Sequence, residues 1–303
     1  MIAAERHVAL VGATATGKSA LALALARQDP TWELVSIDSM QVYRGMDIGT
    51  AKPTPAEQAE VPHHLIDLLD PWEDATVAWF QQEARTALAD IEARGRRALL
   101  VGGTGLYVQA VVDDLDIPGQ HPEVRAELEA EPDTASLYAR LRTLDPVAAA
   151  RMEPANRRRI VRALEVTVGT GRPFSSFGPG VHAHPAGTFT MIGLGMEQAA
   201  LAERISARYR DQMAAGFLDE VRRLVGQPRG LSRTARQALG YKELLDHLSG
   251  ALSLDEAVDL AVRRTRRFAR RQRAWFRRDP RITWLDATAE PAELLAALQH
   301  HLR

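Results

Sequence analysis

The sequence predicts an α/β protein in which helices cover both faces of a parallel sheet and a helical insertion interrupts the alternation. Short apolar runs alternate with amphipathic stretches, a glycine-rich turn follows the first run, and residues from about Pro118 to Gly187 offer helices without a buried strand. Strands buried on both faces read as continuous apolar runs, and strand–helix alternation implies a parallel sheet.

Val8-Ala9-Leu10-Val11 reads as the first strand, and Lys18 to Arg27, rich in Ala and Leu, as the first helix. Glu33 to Ile37 and Ala98 to Val101 are further buried runs. Between them Val77, Phe80, Ala84, Ala87, Leu88 and Ile91 recur at spacings of three and four, the stripe of an amphipathic helix. The insertion holds helical segments at Pro122 to Ala130 and Asn156 to Val168. Pro118-Gly119 and the Gly-, Pro- and His-rich stretch Phe177 to Gly187 bound it. Phe189 to Leu194 and Ile282 to Leu285 read as later strands, and Leu201, Ile205, Tyr209, Met213, Phe217, Val221 and Leu224 as one face of a long helix. The expected organisation is a core of residues 1–117 and 188–303, helical towards its C-terminal part, with 118–187 as the inserted domain.

The 303 residues are 46% apolar and 25% charged, the balance of a soluble globular protein. No apolar run approaches the roughly 20 residues of a membrane helix, and Met1 to Arg6 is too short and polar for a secretory signal. The absence of cysteine excludes disulfides, thiolate metal sites and cysteine nucleophiles. A cytoplasmic protein with no membrane partner is expected. The net charge of −1 conceals an asymmetry of −11 in residues 1–150 and +10 in residues 151–303. Binding of a polyanion by the second half, or neutralisation of one half by the other within the fold, would each account for it.

Gly12-Ala13-Thr14-Ala15-Thr16-Gly17-Lys18-Ser19 fits the G-x-x-x-x-G-K-[ST] pattern between a strand and a helix. The glycines let backbone N–H groups turn inward around phosphate oxygens, and the helix N-terminus adds partial positive charge. Lys18 is expected to reach the distal phosphate and the Ser19 hydroxyl to ligate Mg²⁺. In ATPases and GTPases a strand-ending Asp helps hold the metal. Here Ala98-Leu99-Leu100-Val101 runs into Gly102-Gly103-Thr104-Gly105 with no acid, which argues against a motor or switch ATPase. Thr104 can present a hydroxyl to a phosphate or leaving group, or the segment can be a tight strand-to-helix turn. Asp38 ends the run Leu34 to Ile37. Ligands of doubly wound sheets bind beyond the strands' carboxyl ends, so Asp38 falls beside the phosphate loop, as a base or as a turn-capping aspartate.

Arg263 to Arg278 holds nine arginines in sixteen residues, interleaved with Phe268, Trp275 and Phe276. A helix cannot place them all on one face, so some are expected to track phosphates and others to pair with the acidic first half. Arg158 and Arg162 share one side of their helix. Arginine suits bidentate phosphate contacts and stacking on unpaired bases, which favours RNA over a merely solvated face. His63-His64 on an extended segment point opposite ways, which favours a structural role over a metal site.

Taken together these segments resemble the tRNA dimethylallyltransferase (tRNA isopentenyltransferase) family nearly from end to end. The matching stretches are Gly12 to Ser19, Asp38 to Pro53, Pro62-His63-His64-Leu65, Gly102 to Tyr107, Arg158 to Glu165, Gly216 to Val221 and Gly240-Tyr241-Lys242-Glu243. The family commonly has Pro-Thr-Ala-Ser where this chain has Ala13 to Thr16, and often Gln where Arg158 stands.

The resemblance implies a P-loop NTPase-like fold that holds the pyrophosphate of dimethylallyl diphosphate with Mg²⁺ rather than a nucleoside triphosphate. The acceptor it implies is the exocyclic amine of the adenine 3′ of the tRNA anticodon. Asp38, Thr104 and Lys18 would be catalytic, and Gly12, Ala13, Thr14, Ala15, Thr16, Gly17, Lys18, Ser19 and Arg222 would hold the donor diphosphate. Asp38, Ser39, Met40, Gln41, Thr104, Arg125, Arg158, Arg159, Ile160, Val161, Arg162, Arg270 and Arg273 would meet tRNA, several of them from the insertion. A monomer is expected. A P-loop kinase for a nucleotide or other metabolite, and a nucleotide-gated RNA-binding module, are the competing readings. The first needs no long basic C-terminal segment, and the second leaves Asp38 and Thr104 without a purpose.

Overall fold

The computed structural model describes residues 7–178, 180, 181 and 183–302, so the reading of Met1 to Arg6 lies outside it. The chain forms two compact units, Met1–Val112 with Ala186–Arg303, and Asp113–Pro185.

The first unit begins β1 (Val8–Gly12), α1 (Lys18–Gln28), β2 (Trp32–Ile37), α2 (Pro55–Glu60), β3 (His63–His64), α3 (Val77–Ala93), β4 (Arg97–Gly102) and α4 (Gly105–Val112). The second unit contributes α5 (Pro122–Ala130), α6 (Thr134–Leu144), α7 (Pro146–Ala150) and α8 (Arg157–Thr170). The first unit then resumes with β5 (Thr190–Gly195), α9 (Gln198–Ala214), α10 (Phe217–Val225), α11 (Tyr241–Leu248), α12 (Leu254–Phe276), β6 (Thr283–Asp286) and α13 (Pro291–His301).

Among the described residues six strands make one sheet in the order β3-β2-β4-β1-β5-β6, every pair parallel. β1 and β2 are buried along their whole length, β1 as an unbroken apolar run and β2 with Glu33 and Ser36 satisfied by Arg94 and His64 and by Gln41. Register positions the site: Val11 of β1 and Ile37 of β2 both stand opposite Gly102 of β4. The chain therefore leaves β1, β2 and β4 at one edge, the carboxyl edge where ligands of such sheets bind. Val8, Leu10, Trp32, Ile37, Phe80, Leu99 and Leu100 form the core behind that edge.

The long helix expected over Leu201 to Leu224 is two helices, α9 and α10. Gly216 between them has φ +95°, a left-handed conformation that stops a right-handed helix and restarts it in a new direction. Both pieces bury the apolar stripe, through Leu201, Ile205 and Tyr209 on α9 and Phe217, Val221 and Leu224 on α10. Helix α12 starts at a capping box in which Ser253 and Glu256 satisfy each other's backbone N–H groups. Among the described residues no helix is long and apolar enough to cross a membrane.

The second unit spans Asp113–Pro185, against 118–187 in the sequence reading. Three of its helices start at side-chain caps, Asp133 for α6, Asp145 for α7 and Asn156 for α8. They enclose a separate core of Leu128, Leu137, Leu141, Ile160, Val161 and Leu164. In the first unit the chain breaks off and resumes at one place: a Cβ at Gly187 would stand 3.9 Å from the Val112 carbonyl oxygen.

Candidate functional site

The phosphate loop joins β1 to α1. Ala15 and Gly17 have φ +65° and +94°, which curl the backbone. The Ala13 carbonyl oxygen accepts from the Thr16 hydroxyl at 2.9 Å and from the Lys18 ammonium at 2.7 Å. Gly17, the residue before α1, offers no side-chain cap, so the first N–H groups of the helix face the loop's concavity as anion donors. Two distant residues fix Thr14: Arg208 of α9 donates to its hydroxyl at 2.8 Å, and its N–H donates to Gln272 of α12 at 2.9 Å.

The loop opens on a cavity of about 340 Å³ lined by Thr14, Ala15 and Gly17 to Ser19, by Ser36 and Asp38 at the end of β2, and by Gly102 and Gly103 at the end of β4. Arg208, Phe268 and Gln272 complete that wall, and Leu23, Leu34 and Val101 add apolar surface. Asp38 accepts from the Met40 N–H at 2.9 Å. Burial pushes its carboxyl up from the ordinary range, against the opposing pull of that N–H, of Lys18 and of Arg208. Burial likewise lowers Lys18 to about 8, with the Asp38 charge acting the other way and Arg208 adding to the fall. Arg208 is also lowered by burial, opposed by Tyr209 and Asp38. Lys18 and Arg208 thus stand against Asp38 around the phosphate loop, a charge set suited to a diphosphate beside a group that gives up a proton. The Lys52 and Glu57 that also line the cavity are bonded, Lys52 to Asp47 and Asp67 and Glu57 to Thr54.

The glycines after β4 are close-approach residues. A Cβ at Gly103 would lie 2.4 Å from the Gln272 amide nitrogen and 3.0 Å from the Gly12 carbonyl. Thr104 follows, half-buried but, unlike Gly102 and Gly103, not among the residues that line the cavity; its carbonyl accepts from the Tyr107 and Val108 N–H groups that begin α4. Ser39 and Met40 are half-buried after Asp38. Gln41 lines the cavity, but its amide is used internally, accepting from the Ser36 hydroxyl at 2.7 Å and donating to the Thr50 and Ala51 carbonyls.

Several sequence expectations change. Arg222 is not among the cavity residues; its guanidinium is half-exposed on α10 and pairs with Asp219 at 2.7 Å. The sequence reading missed Arg208, which faces the cavity from the C-terminal half of α9. Ile160 and Val161 are buried in the second unit's core, so their side chains offer RNA nothing. Arg125 and Arg162 pair with the buried Glu165, which also accepts the His121 N–H, while Arg158 and Arg159 are exposed. On α12 Arg270 is exposed and Arg273 half-buried. Arg264 pairs with Glu243 and Arg266 with the Ser206 hydroxyl, partners from the basic half of the chain rather than the acidic first half. His64 bonds to Glu33 at 2.7 Å, whereas His63 donates to the Val61 carbonyl and lines the cavity. Among the described residues no group of three His, Cys, Asp or Glu is arranged to hold a metal.

The remaining motif residues meet in a buried knot. Glu220 accepts from the backbone N–H groups of Asp47, Ile48 and Gly49 at 3.0, 2.7 and 3.2 Å and from the Tyr241 hydroxyl at 2.5 Å. Lys52 spends its three donors on the Tyr43 carbonyl, Asp47 and Asp67. Gly216 to Val221 and Gly240 to Glu243 therefore serve the wall that carries Thr50 to Pro53 into the cavity.

A parallel sheet with a G-x-x-x-x-G-K-S loop after its first strand, and ligand groups at the carboxyl edge, defines a P-loop NTPase-like protein. Comparison with known proteins gives the branch. The profile of IPP transferases matches residues 41–279, that of isopentenyl transferases residues 6–67, and the chain belongs to the IPP transferase family. It is 51% identical to the tRNA dimethylallyltransferase of Kineococcus radiotolerans over 95% of this chain and 93% of that one. It is 50% identical to that of Streptomyces coelicolor, over 96% and 94%. A tRNA isopentenylpyrophosphate transferase structure from Bacillus halodurans superposes with a TM-score of 0.71 at 40% identity, covering 98% of this chain and 97% of the other. A eukaryotic dimethylallyltransferase captured acting on tRNA gives a TM-score of 0.78 at 27% identity, covering 94% and 74%.

Proposed function

We propose that the protein is a tRNA dimethylallyltransferase, moving the dimethylallyl group of dimethylallyl diphosphate onto the exocyclic amine of the adenine 3′ of the anticodon. One observation carries the reading: Asp38 shares a cavity with the phosphate loop, Lys18 and Arg208, with apolar surface from Leu23, Leu34 and Val101 beside them.

An adenine amine is a weak nucleophile, its lone pair delocalised into the ring, so holding it in line with the allylic carbon supplies much of the rate. The amine nitrogen forms the new C–N bond as the carbon–oxygen bond to diphosphate breaks. Asp38 takes the amine proton as positive charge develops on nitrogen. Its burial favours the protonated product state, which suits a base that must hold a proton. Lys18, Arg208 and the loop's N–H groups receive the departing pyrophosphate, and we assign Thr104, next in sequence to the cavity-lining Gly103, as a further donor. The target base leaves its stack to reach the cavity.

Ser19 is exposed at the cavity wall with no acidic cage among the described residues, a donor set that fits Mg²⁺ shared with diphosphate oxygens. When bound, Mg²⁺ supplies charge neutralisation of the diphosphate. Arg158, Arg159, Arg270 and Arg273 are the arginines we assign to tRNA phosphates and loop bases, in a monomer acting in the cytoplasm.

The test incubates the protein with unmodified tRNA and labelled dimethylallyl diphosphate, and in parallel with labelled ATP. Label enters tRNA from the prenyl donor alone. ATP turnover without prenylation would replace this reading with a kinase.

A further inference from the structure

Gln272 stands between Arg271 and Arg273 in the arginine run, and it is buried. Both ends of its carboxamide are used: the oxygen accepts the Thr14 N–H at 2.9 Å, and the nitrogen donates to the Gly103 carbonyl at 2.8 Å. One side chain therefore ties the phosphate loop to the turn that carries Thr104, across 258 and 169 residues of sequence. The fit is tight, because Gly103 has no room for a Cβ beneath that amide. Phe268, Gln272 and Trp275 fall at i, i+4 and i+7 and share one face of α12. Phe268 lines the cavity and Trp275 packs over Gly105, where a Cβ would meet its ring at 2.4 Å. Arg270 is exposed on the same helix, two residues away.

We propose that Gln272 is a positioning residue that sets the phosphate loop against the Gly103–Thr104 turn, and so joins donor grip and leaving-group contact through the arginine-bearing helix. The proposal rests on the prenyl-transfer reading of the site. The Thr14 N–H is spent on Gln272. Thr14 is held from the other side by Arg208. Loss of Gln272 leaves the loop tethered by Arg208 alone, free to shift against Thr104. An isosteric methionine keeps the packing volume and removes both bonds, so it separates positioning from simple filling of the core.

The experiment compares wild type with Gln272→Met and Gln272→Ala. Initial prenyl-transfer rates are read against donor concentration at saturating tRNA. The affinity of the protein for inorganic pyrophosphate with Mg²⁺ is measured by calorimetry. Two hydrogen bonds of ordinary net strength predict that Gln272→Met raises donor KM and pyrophosphate Kd about tenfold with tRNA affinity unchanged, while the Thr14 N–H and Gly103 carbonyl that lose their partner lower the melting temperature modestly. Wild-type KM and pyrophosphate Kd in Gln272→Met would overturn the proposal. So would a loss of active fraction alone, with kcat and melting temperature falling while KM holds. Pyrophosphate binding reads the role without turnover, so a wild type that transfers no prenyl group would sink the function while the positioning result still stood or fell by itself.

Discussion

Asp38 and Glu220 are both acids in motif segments of the first unit, and their surroundings are opposite. Glu220 is 2% exposed and takes four donors, three backbone N–H groups and the Tyr241 hydroxyl. Asp38 lies at a cavity wall, accepts from Met40, and faces Lys18 and Arg208 across open space. A saturated buried carboxylate is a structural anchor, because each lone pair is spent and any partner's loss leaves a buried group unpaired. A carboxylate pushed towards its neutral form, with lone pairs left beyond those taken by the Met40 and Gln41 N–H groups, has capacity for a proton. Membership of a shared motif does not separate the two; the count of satisfied lone pairs does.

Substitutions should divide along that line. Asp38→Asn is expected to lower kcat by about a thousandfold, the scale of general-base catalysis, while the melting temperature holds or rises because the buried charge is gone. A variant that loses stability and keeps its rate would reverse the assignment. Glu220→Ala should destabilise the fold by about 3–5 kcal/mol in urea unfolding, with kcat per folded molecule little changed. Arg208→Met should raise donor KM about ten- to a hundredfold, as loss of a charged hydrogen-bonding group does, whereas Arg222→Met stays within about twofold.

The pH profile sharpens the contrast further. Raised Asp38 gives kcat/KM an acid limb above the ordinary carboxylate range, and Lys18 at about 8 gives an alkaline limb as its ammonium discharges. The sign for stability is opposite to that for activity. The folded-state pKa of Lys18 lies below its unfolded value, so burial costs stability below about pH 8, and that cost is relieved as pH rises towards the ordinary lysine value of 10.5. Activity should therefore fall about tenfold per pH unit above 8 with no parallel fall in melting temperature on account of Lys18. A melting curve that tracks the activity would assign the alkaline limb to unfolding.

Much of this was legible in the sequence. The phosphate loop, the strand that delivers Asp38 and the acid-free end of β4 each depend on local pattern, and the sheet register brings them to one edge. Arg208 and Gln272 were not legible, because which residue of a helix faces a distant loop depends on how that helix rolls against the sheet. The stripe through Tyr209 marked the buried face of α9 but did not single out the arginine beside it. Gln272 left a faint trace as the one neutral polar residue at helical spacing from Phe268 and Trp275. Ile160 and Val161 were misread for a related reason: their motif shares its helix with Arg158 and Arg159, and helical periodicity turns alternate pairs towards the core. Arg222 fell beside the correct motif on the wrong side of its helix.

The neck at Val112 and Gly187 has a consequence for how the molecule can vary. To the sheet, the whole excursion from Asp113 to Pro185 is equivalent to a short turn, because its two ends emerge side by side. The entropy of closing that excursion is settled within its own four helices and their private core. The inserted module can therefore lengthen, shrink or be exchanged between relatives while the geometry of the phosphate loop stays fixed.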